Sequence, residues 1–89
     1  MRTIDFNIPN KLGLHARASV KLVNIANKYK STITINKDCK TANAKNLMEV
    51  MLLSAGHGSK ISITADGVDE DAVILDITKL INNKFDELE

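Results

Sequence analysis

The hydrophobic residues of this 89-residue chain switch repeatedly between a spacing of two and a spacing near 3.6. A spacing of two is typical of half-buried strands, and a spacing near 3.6 is typical of amphipathic helices. The predicted strands are 2–8, 31–36, 40–43 and 61–65. The predicted helices are 16–29, 47–53 and 70–83. Their order, βαββαβα, predicts an α+β fold in which the helices cover one face of a mainly antiparallel sheet.

Turn and capping signals support these boundaries. Pro9-Asn10 ends the first strand, and Asp66-Gly67 ends the fourth. Asn46 is a good N-cap for the second helix, and the acids at 69–71 suit the positive N-terminus of the third. The side chains predicted to face the core are Ile4, Phe6, Ile8, Leu22, Val23, Ile25, Ala26, Tyr29, Ile33, Ile35, Val50, Leu53, Ile61, Ile63, Ala65, Val73, Ile77, Leu80, Ile81 and Phe85.

Length, composition and charge narrow the functional classes. The length predicts one domain over 1–89. We find no apolar run long enough for a membrane span and no signal-peptide core, and the single cysteine favours a cytoplasmic location. A net charge of +1 and three aromatic residues give no platform for nucleic acid. Residues 1–45 hold nine Lys/Arg and two Asp/Glu, whereas 46–89 hold three and nine, so a basic face for an acidic partner and an ordinary solvated surface both stay open.

The stretch KLGLHARAS, at 11–19, places a histidine at the entrance of the first predicted helix. The N–H groups of a first helical turn lack intrahelical partners, and together with the helix dipole they form an anion site. The imidazole of His15 offers a nucleophilic nitrogen beside this anion site. Arg17 adds a planar cation that can bind phosphate oxygens. The combination points to a histidine that becomes phosphorylated, although a plain surface histidine beside an exposed Arg17 would have the same spacing.

Three motifs in sequence, GLHARAS, NAKNLMEVMLL and GSKISITADGVDEDA, closely resemble the histidine-containing phosphocarrier (HPr) family of the bacterial phosphoenolpyruvate-dependent phosphotransferase system. The resemblance covers nearly the whole chain. The form KLGLHARAS is similar to proteobacterial members, including the nitrogen-related NPr branch. The resemblance implies an open-faced sandwich of four antiparallel strands with three helices on one face.

The resemblance also implies a mechanism and partners. Nδ1 of His15 would accept a phosphoryl group from phosphorylated Enzyme I and pass it to an Enzyme IIA domain, in a stoichiometric carrier that is not an enzyme and needs no metal or cofactor. Arg17 and the backbone N–H groups near Ala16 and Arg17 would steady the phosphate. The docking surface expected on a monomer comprises Ala16, Val20, Lys21, Lys45, Leu47, Met48 and Met51. Methionines adapt to several partners, as a carrier requires.

Three positions depart from the family pattern. Ala18 stands where the usual motif has proline, and Glu49 stands where relatives often have a small or basic residue. Asn46 replaces a serine that some relatives carry as a regulatory phosphorylation site, and an amide has no hydroxyl to modify. Two further reactive side chains, His57 and Cys39, are predicted to be exposed in loops without an assigned role.

Two other functional classes stay open at this point. One is an HPr-like regulatory binding module that docks on a kinase, regulator or transporter and switches it by its phosphorylation state. The other is a ferredoxin-like metal or nucleic-acid binder, which would need paired cysteines or a basic surface that this chain lacks. Transfer of the phosphoryl group to an Enzyme IIA would separate the carrier from the binding module.

Overall fold

Strands and helices follow one another as the two spacings predict. The computed structural model describes residues 1–86. Its elements are β1 (Arg2–Asn7), α1 (Ala16–Ala26), β2 (Thr32–Lys37), β3 (Lys40–Asn43), α2 (Leu47–Leu52), β4 (Lys60–Asp66), α3 (Glu70–Asn82) and a 3-10 turn (Lys84–Asp86). The predicted βαββαβα order and the α+β class are confirmed.

Within this range, four strands form one antiparallel sheet in the order β1-β4-β2-β3. β4 is inserted between β1 and β2, so that Ile63 lies opposite Ile4 on one side and Ile35 on the other. β2 and β3 form a hairpin, whose two-residue turn places Asp38 at a φ of 54°. The hairpin follows from local sequence, whereas the insertion of β4 is a long-range arrangement.

The alternation along the strands sends apolar side chains to one face of the sheet. Ile33, Ile35, Ile61 and Ile63 are buried, and the polar residues between them point to the other face. The helices of the described chain cover the apolar face and leave the other open: α3 packs on β1 and β4, α2 packs on β3, and α1 contacts both α2 and α3. Phe85, from the 3-10 turn, completes the core as predicted.

Four of the predicted core residues lie at its edge. They are only partly buried against the core: Ile4, Phe6, Ile25 and Tyr29. Ile4 and Phe6 belong to the edge strand β1, and Ile25 lies near the end of α1, where the sheet and helices cover one side only.

α1 ends at Ala26, three residues before the predicted end at Tyr29. The side-chain amide of Asn27 donates to the carbonyl of Val23 at 3.0 Å, and Lys28 N–H donates to Ile25 in a tighter turn at 3.0 Å. The Tyr29 hydroxyl then donates to a carboxylate of α3 at 2.7 Å, which raises the pKa of this phenol above its usual value. A local tight turn therefore ends the helix before its apolar spacing does, and the bond to α3 holds the Tyr29 side chain beyond that end.

Asp69 is the N-cap residue of α3, but its side chain bonds to a different part of the chain. Its carboxylate forms no side-chain capping bond to its own helix. It accepts instead from the Ser31 hydroxyl, from Lys30 N–H at 2.8 Å and from Ser31 N–H at 3.0 Å. These hydrogen bonds, first that of the Ser31 hydroxyl, hold the pKa of Asp69 below its usual value. The carboxylate thus joins the start of α3 to the segment that leads into β2.

Candidate functional site

The loop between β1 and α1 carries His15, and it is tied to the loop between α2 and β4. Ile8 N–H donates to the carbonyl of Ser59 at 2.9 Å. Leu14 N–H donates to the carbonyl of Ala55 at 2.7 Å. The position of His15 is consequently set by backbone from the second half of the chain.

Gly13 is required at the closest approach of these two loops. Its φ of +66° lies in the left-handed region, and a Cβ there would come within 2.6 Å of the Ala55 carbonyl oxygen and of Gly56 Cα. Both neighbours are backbone atoms, which cannot move aside cheaply. Gly13 N–H also donates to the carbonyl of Asn10 at 3.1 Å and so closes the turn that precedes the site.

His15 is the N-cap residue of α1. Its backbone is extended, with φ −76° and ψ −178°, and its half-buried side chain forms no capping hydrogen bond. The His15 carbonyl accepts the first intrahelical bond, from Ser19 N–H at 2.8 Å. The N–H groups of Ala16, Arg17 and Ala18 come before that bond and have no acceptor within the helix.

The start of α1 is electrostatically suited to an anion. Its first turn contains no acidic residue, whereas the first turn of α3 contains Glu70 and Asp71. The positive end of the α1 dipole is therefore not neutralised by a carboxylate of its own helix. Arg17, in the first turn of α1, is exposed. His15 is the N-cap at this same end, next to the N–H groups that lack helical acceptors.

Two buried polar residues brace the backbone just ahead of His15, and sequence reasoning missed both. The Asn10 amide donates to the carbonyl of Gly13 at 2.9 Å, and the Ser19 hydroxyl donates to the carbonyl of Leu14 at 3.1 Å. Both donors belong to residues that are 0 % exposed. For Ser19 a signal exists in the sequence, because it is a polar residue on the apolar stripe of α1.

α2 lies beside α1 and runs in the opposite direction. The carbonyl of Lys45, just before α2, accepts from the Asn27 amide at the C-terminal end of α1 at 3.3 Å. The carbonyl of Ala55, just after α2, accepts from Leu14 N–H next to His15. The C-terminal end of α2 thus lies at the same end of the molecule as the histidine.

α2 exposes most of its apolar side chains. Only Val50 (0 % exposed) and Leu53 just after it (2 %) are buried, as predicted. The exposed apolar residues of the helix are Leu47, Met48, Met51 and Leu52. The loop before Gly13 also exposes Leu12, which sequence reasoning missed because an apolar residue in a polar turn carries no periodicity. A short helix with one buried face leaves these side chains available for contact.

Two side chains accept hydrogen bonds from backbone N–H groups at the start of α2. Asn46 accepts from Glu49 N–H at 3.1 Å, which confirms it as the N-cap. The Glu49 carboxylate accepts from Asn43 N–H at 2.9 Å and so ties α2 to the end of β3. Glu49 therefore has a structural contact in addition to any effect of its charge on partners.

The two lysines predicted for the docking surface both bond to backbone carbonyls. Lys21 Nζ donates to the carbonyl of Phe85 at 2.7 Å, and Lys45 Nζ donates to that of Tyr29 at 2.7 Å. The Lys45 ammonium thus lies beyond the C-terminal end of α1, at the opposite end from His15. Of the predicted α1 positions, Ala16 and Val20 are exposed.

Two further reactive side chains lie in loops. His57 is exposed in the loop between α2 and β4, and Cys39 is exposed in the β2–β3 turn, both as predicted. Within residues 1–86, no three His, Cys, Asp or Glu side chains come together as metal ligands. Over the same range, no helix is long and apolar enough to cross a bilayer.

Comparisons with known proteins agree with this fold. The family described as "PTS HPr component phosphorylation site" matches residues 3–83. The phosphocarrier protein HPr of Xylella fastidiosa is 41% identical over 83 residues, which cover 93% of each chain. The phosphocarrier protein NPr of Shewanella violacea is 41% identical over 80 residues, which cover 90% of this chain and 88% of the relative. The crystal structure of HPr-C-His from Thermoanaerobacter tengcongensis superposes with a TM-score of 0.96 at 38% identity, with both chains covered completely.

An open-faced sandwich with these relatives defines a small phosphocarrier protein, which carries a phosphoryl group and is not an enzyme. The chain belongs to the HPr family of the phosphoenolpyruvate-dependent phosphotransferase system. The resemblance inferred from three motifs is confirmed, and the ferredoxin-like metal or nucleic-acid binder is set aside.

Proposed function

We propose that Nδ1 of His15 is the atom that carries the phosphoryl group, which it accepts from phosphorylated Enzyme I and passes to an Enzyme IIA domain. The observation that carries this proposal is the place of His15 at the N-cap of α1, where the first-turn N–H groups lack helical acceptors and no acid is present. In the transfer, a P–N bond forms at Nδ1 as the donor's bond to phosphorus breaks. Nδ1 must offer its lone pair, so any proton on this nitrogen leaves as the bond forms.

Phosphate stabilisation is assigned to groups of the first helical turn. The N–H groups of Ala16 and Arg17 offer hydrogen bonds to phosphoryl oxygens, and the Arg17 guanidinium offers a charge-assisted pair. Because the backbone N–H groups are held by the helix before the phosphoryl group arrives, little reorganisation of them accompanies transfer. No metal or cofactor has a part in this proposal.

The docking surface proposed for both partners consists of exposed side chains on α1 and α2 together with two half-buried lysines. It comprises Ala16, Val20, Lys21, Leu47, Met48 and Met51, with Lys45 at its rim. Methionines on this surface can repack against two different partners. We further propose that the chain acts as a monomer, since a dimer built on this surface would block docking. We also propose that it is one domain over 1–89 and acts in the cytoplasm.

The test is intact mass after incubation with phosphoenolpyruvate and an active Enzyme I. We expect one phosphoryl adduct on the wild-type protein, lost in mild acid, absent from His15→Ala and retained by His57→Ala. The His57 variant is the matched control because it removes the other histidine, which is exposed and lies in a loop away from a helix start. An adduct that persists in His15→Ala, or none on the wild type, would overturn the proposal.

A second candidate function is a regulatory module whose phosphorylation state controls a partner. It is favoured by the exposed apolar side chains of α2, which offer a binding surface whether or not phosphate moves on. The two functions differ in one measurement. Addition of an Enzyme IIA domain to the purified phosphoprotein discharges a carrier within the assay, whereas a module keeps its phosphate and changes only its affinity for the partner.

A further inference from the structure

Ser19 donates hydrogen bonds to two consecutive carbonyl groups, those of Leu14 and His15. Its N–H donates to the carbonyl of His15 at 2.8 Å, and its hydroxyl donates to the carbonyl of Leu14 at 3.1 Å. The first bond is the ordinary beginning of an α-helix. The second reaches outside the helix, to the peptide that immediately precedes the histidine.

The planarity of the peptide bond extends this effect to N–H groups. In a trans peptide the C=O and N–H point in opposite directions. When the Ser19 hydroxyl draws the Leu14 carbonyl toward the buried side of α1, the N–H of His15 must point the other way. The same bond limits rotation about the His15 N–Cα bond, and therefore the direction in which the imidazole leaves the backbone.

We propose that Ser19 is a positioning residue for phosphoryl transfer: its hydroxyl fixes the Leu14–His15 peptide, and thereby the imidazole and the His15 N–H, in the arrangement that receives the phosphoryl group. The inference rests on the proposed role of His15 and deepens it. Ser19 itself, being 0 % exposed, does not touch the phosphoryl group.

A comparison within the same chain separates this role from ordinary helix packing. Thr78 in α3 also donates its hydroxyl to a carbonyl, that of Ile74 at 2.6 Å. That acceptor is four residues back inside the helix, a common arrangement that only satisfies the hydroxyl. The acceptor of Ser19 is five residues back, in the loop. Of these two hydroxyl bonds, that of Ser19 is therefore the one that constrains the backbone next to a reactive side chain.

The experiment compares Ser19→Ala and Ser19→Cys with Thr78→Ala. Cysteine keeps nearly the volume of serine but is a weak donor, so it tests the hydrogen bond separately from packing. We expect both Ser19 variants to form the His15 adduct with Enzyme I about five-fold more slowly, the factor that corresponds to the loss of one hydrogen bond. We expect Thr78→Ala to lose about as much thermal stability as the Ser19 variants but to form the His15 adduct at the wild-type rate.

A spectroscopic signature accompanies the rates. On phosphorylation, the amide proton of His15 in the wild-type protein should shift downfield, and this shift should shrink in both Ser19 variants and persist in Thr78→Ala. Wild-type behaviour of Ser19→Cys would show that serine acts through its volume and would overturn the inference. A rate loss in Ser19→Ala no greater than that in Thr78→Ala would overturn it as well. Absence of any wild-type adduct overturns the proposed function itself, whereas an adduct with unchanged Ser19 variants overturns only this inference.

Discussion

Single residues decide how closely two distant loops approach around the histidine. Gly13 has no side chain, and the backbone of Ala55 and Gly56 occupies the space that a Cβ would need. The N–H of the next residue, Leu14, donates to Ala55, so the contact is a hydrogen bond as well as a fit of shapes. The motif GLH thus has a physical reason for its glycine that is independent of the chemistry of the histidine.

Gly13→Ala should destabilise the protein by about 2–4 kcal/mol, since it combines a left-handed φ with a backbone overlap. Denaturant unfolding measures this loss. Gly58→Ala is the matched control, because Gly58 also has a positive φ (+82°) but nothing lies within 4 Å of the added Cβ. That variant should lose only about 1 kcal/mol. Equal losses in the two variants would contradict the overlap with Ala55.

At the scale of elements, α2 shows how a helix too short to form alone is kept in place. Six residues do not make a stable helix in water, because nucleation is unfavourable and few bonds follow it. Val50 anchors the helix in the core, Asn46 caps its start, and Glu49 ties it to β3. The exposed methionines and leucines contribute little to this anchoring, which leaves them available to partners.

Asn46→Ala should lower the free energy of unfolding by about 1 kcal/mol, because the N–H of Glu49 loses its acceptor. Asn46→Ser should retain nearly all of the stability, since serine caps as well as asparagine. Denaturant unfolding of the two variants side by side provides the measurement. If alanine were as stable as serine, the cap would not be what holds the start of α2.

Across the whole molecule, hydrogen bonds between remote segments join the helical layer. The Tyr29 hydroxyl links the end of α1 to Asp76 of α3, and the Asp69 carboxylate links the start of α3 to Lys30 and Ser31. Both contacts involve ionisable groups, so the stability of the fold depends on pH.

Acid should weaken the fold through Asp69. A depressed pKa means that the folded state holds the carboxylate in its charged form, so its contribution is present above the usual value of 3.8 and is lost as the pH falls through the depressed one. Thermal unfolding between about pH 5 and pH 2.5 should therefore be less pH-dependent in Asp69→Asn than in the wild type. Asp71→Asn is the control, because it removes a neighbouring charge but none of these bonds. If thermal unfolding of Asp69→Asn depended on pH as steeply as that of the wild type, the hydrogen bonds between Asp69 and Ser31 would not be the source of this pH dependence.

The sequence by itself determined the features that arise from local periodicity and local chemistry. Alternation in 31–36 and 61–65 is enough to place the strands, Asn46 is enough to begin α2, and the KLGLHARAS stretch is enough to point to His15. The order of elements followed from these signals, and the family followed from the resemblance of three short motifs. Each of them depends on residues within one or two turns of each other, which a pattern can show.

Only the tertiary structure decided which distant segments meet. The insertion of β4 between β1 and β2, the bond from Tyr29 to Asp76 and the contact of Gly13 with Ala55 all join residues far apart in the chain. The bonds of Asn10 and Ser19 span few residues, but they exist only because the loop is folded back onto α1. Strand order and loop closure depend on burying one shared apolar face, and that is a property of the assembled core rather than of any single stretch of sequence.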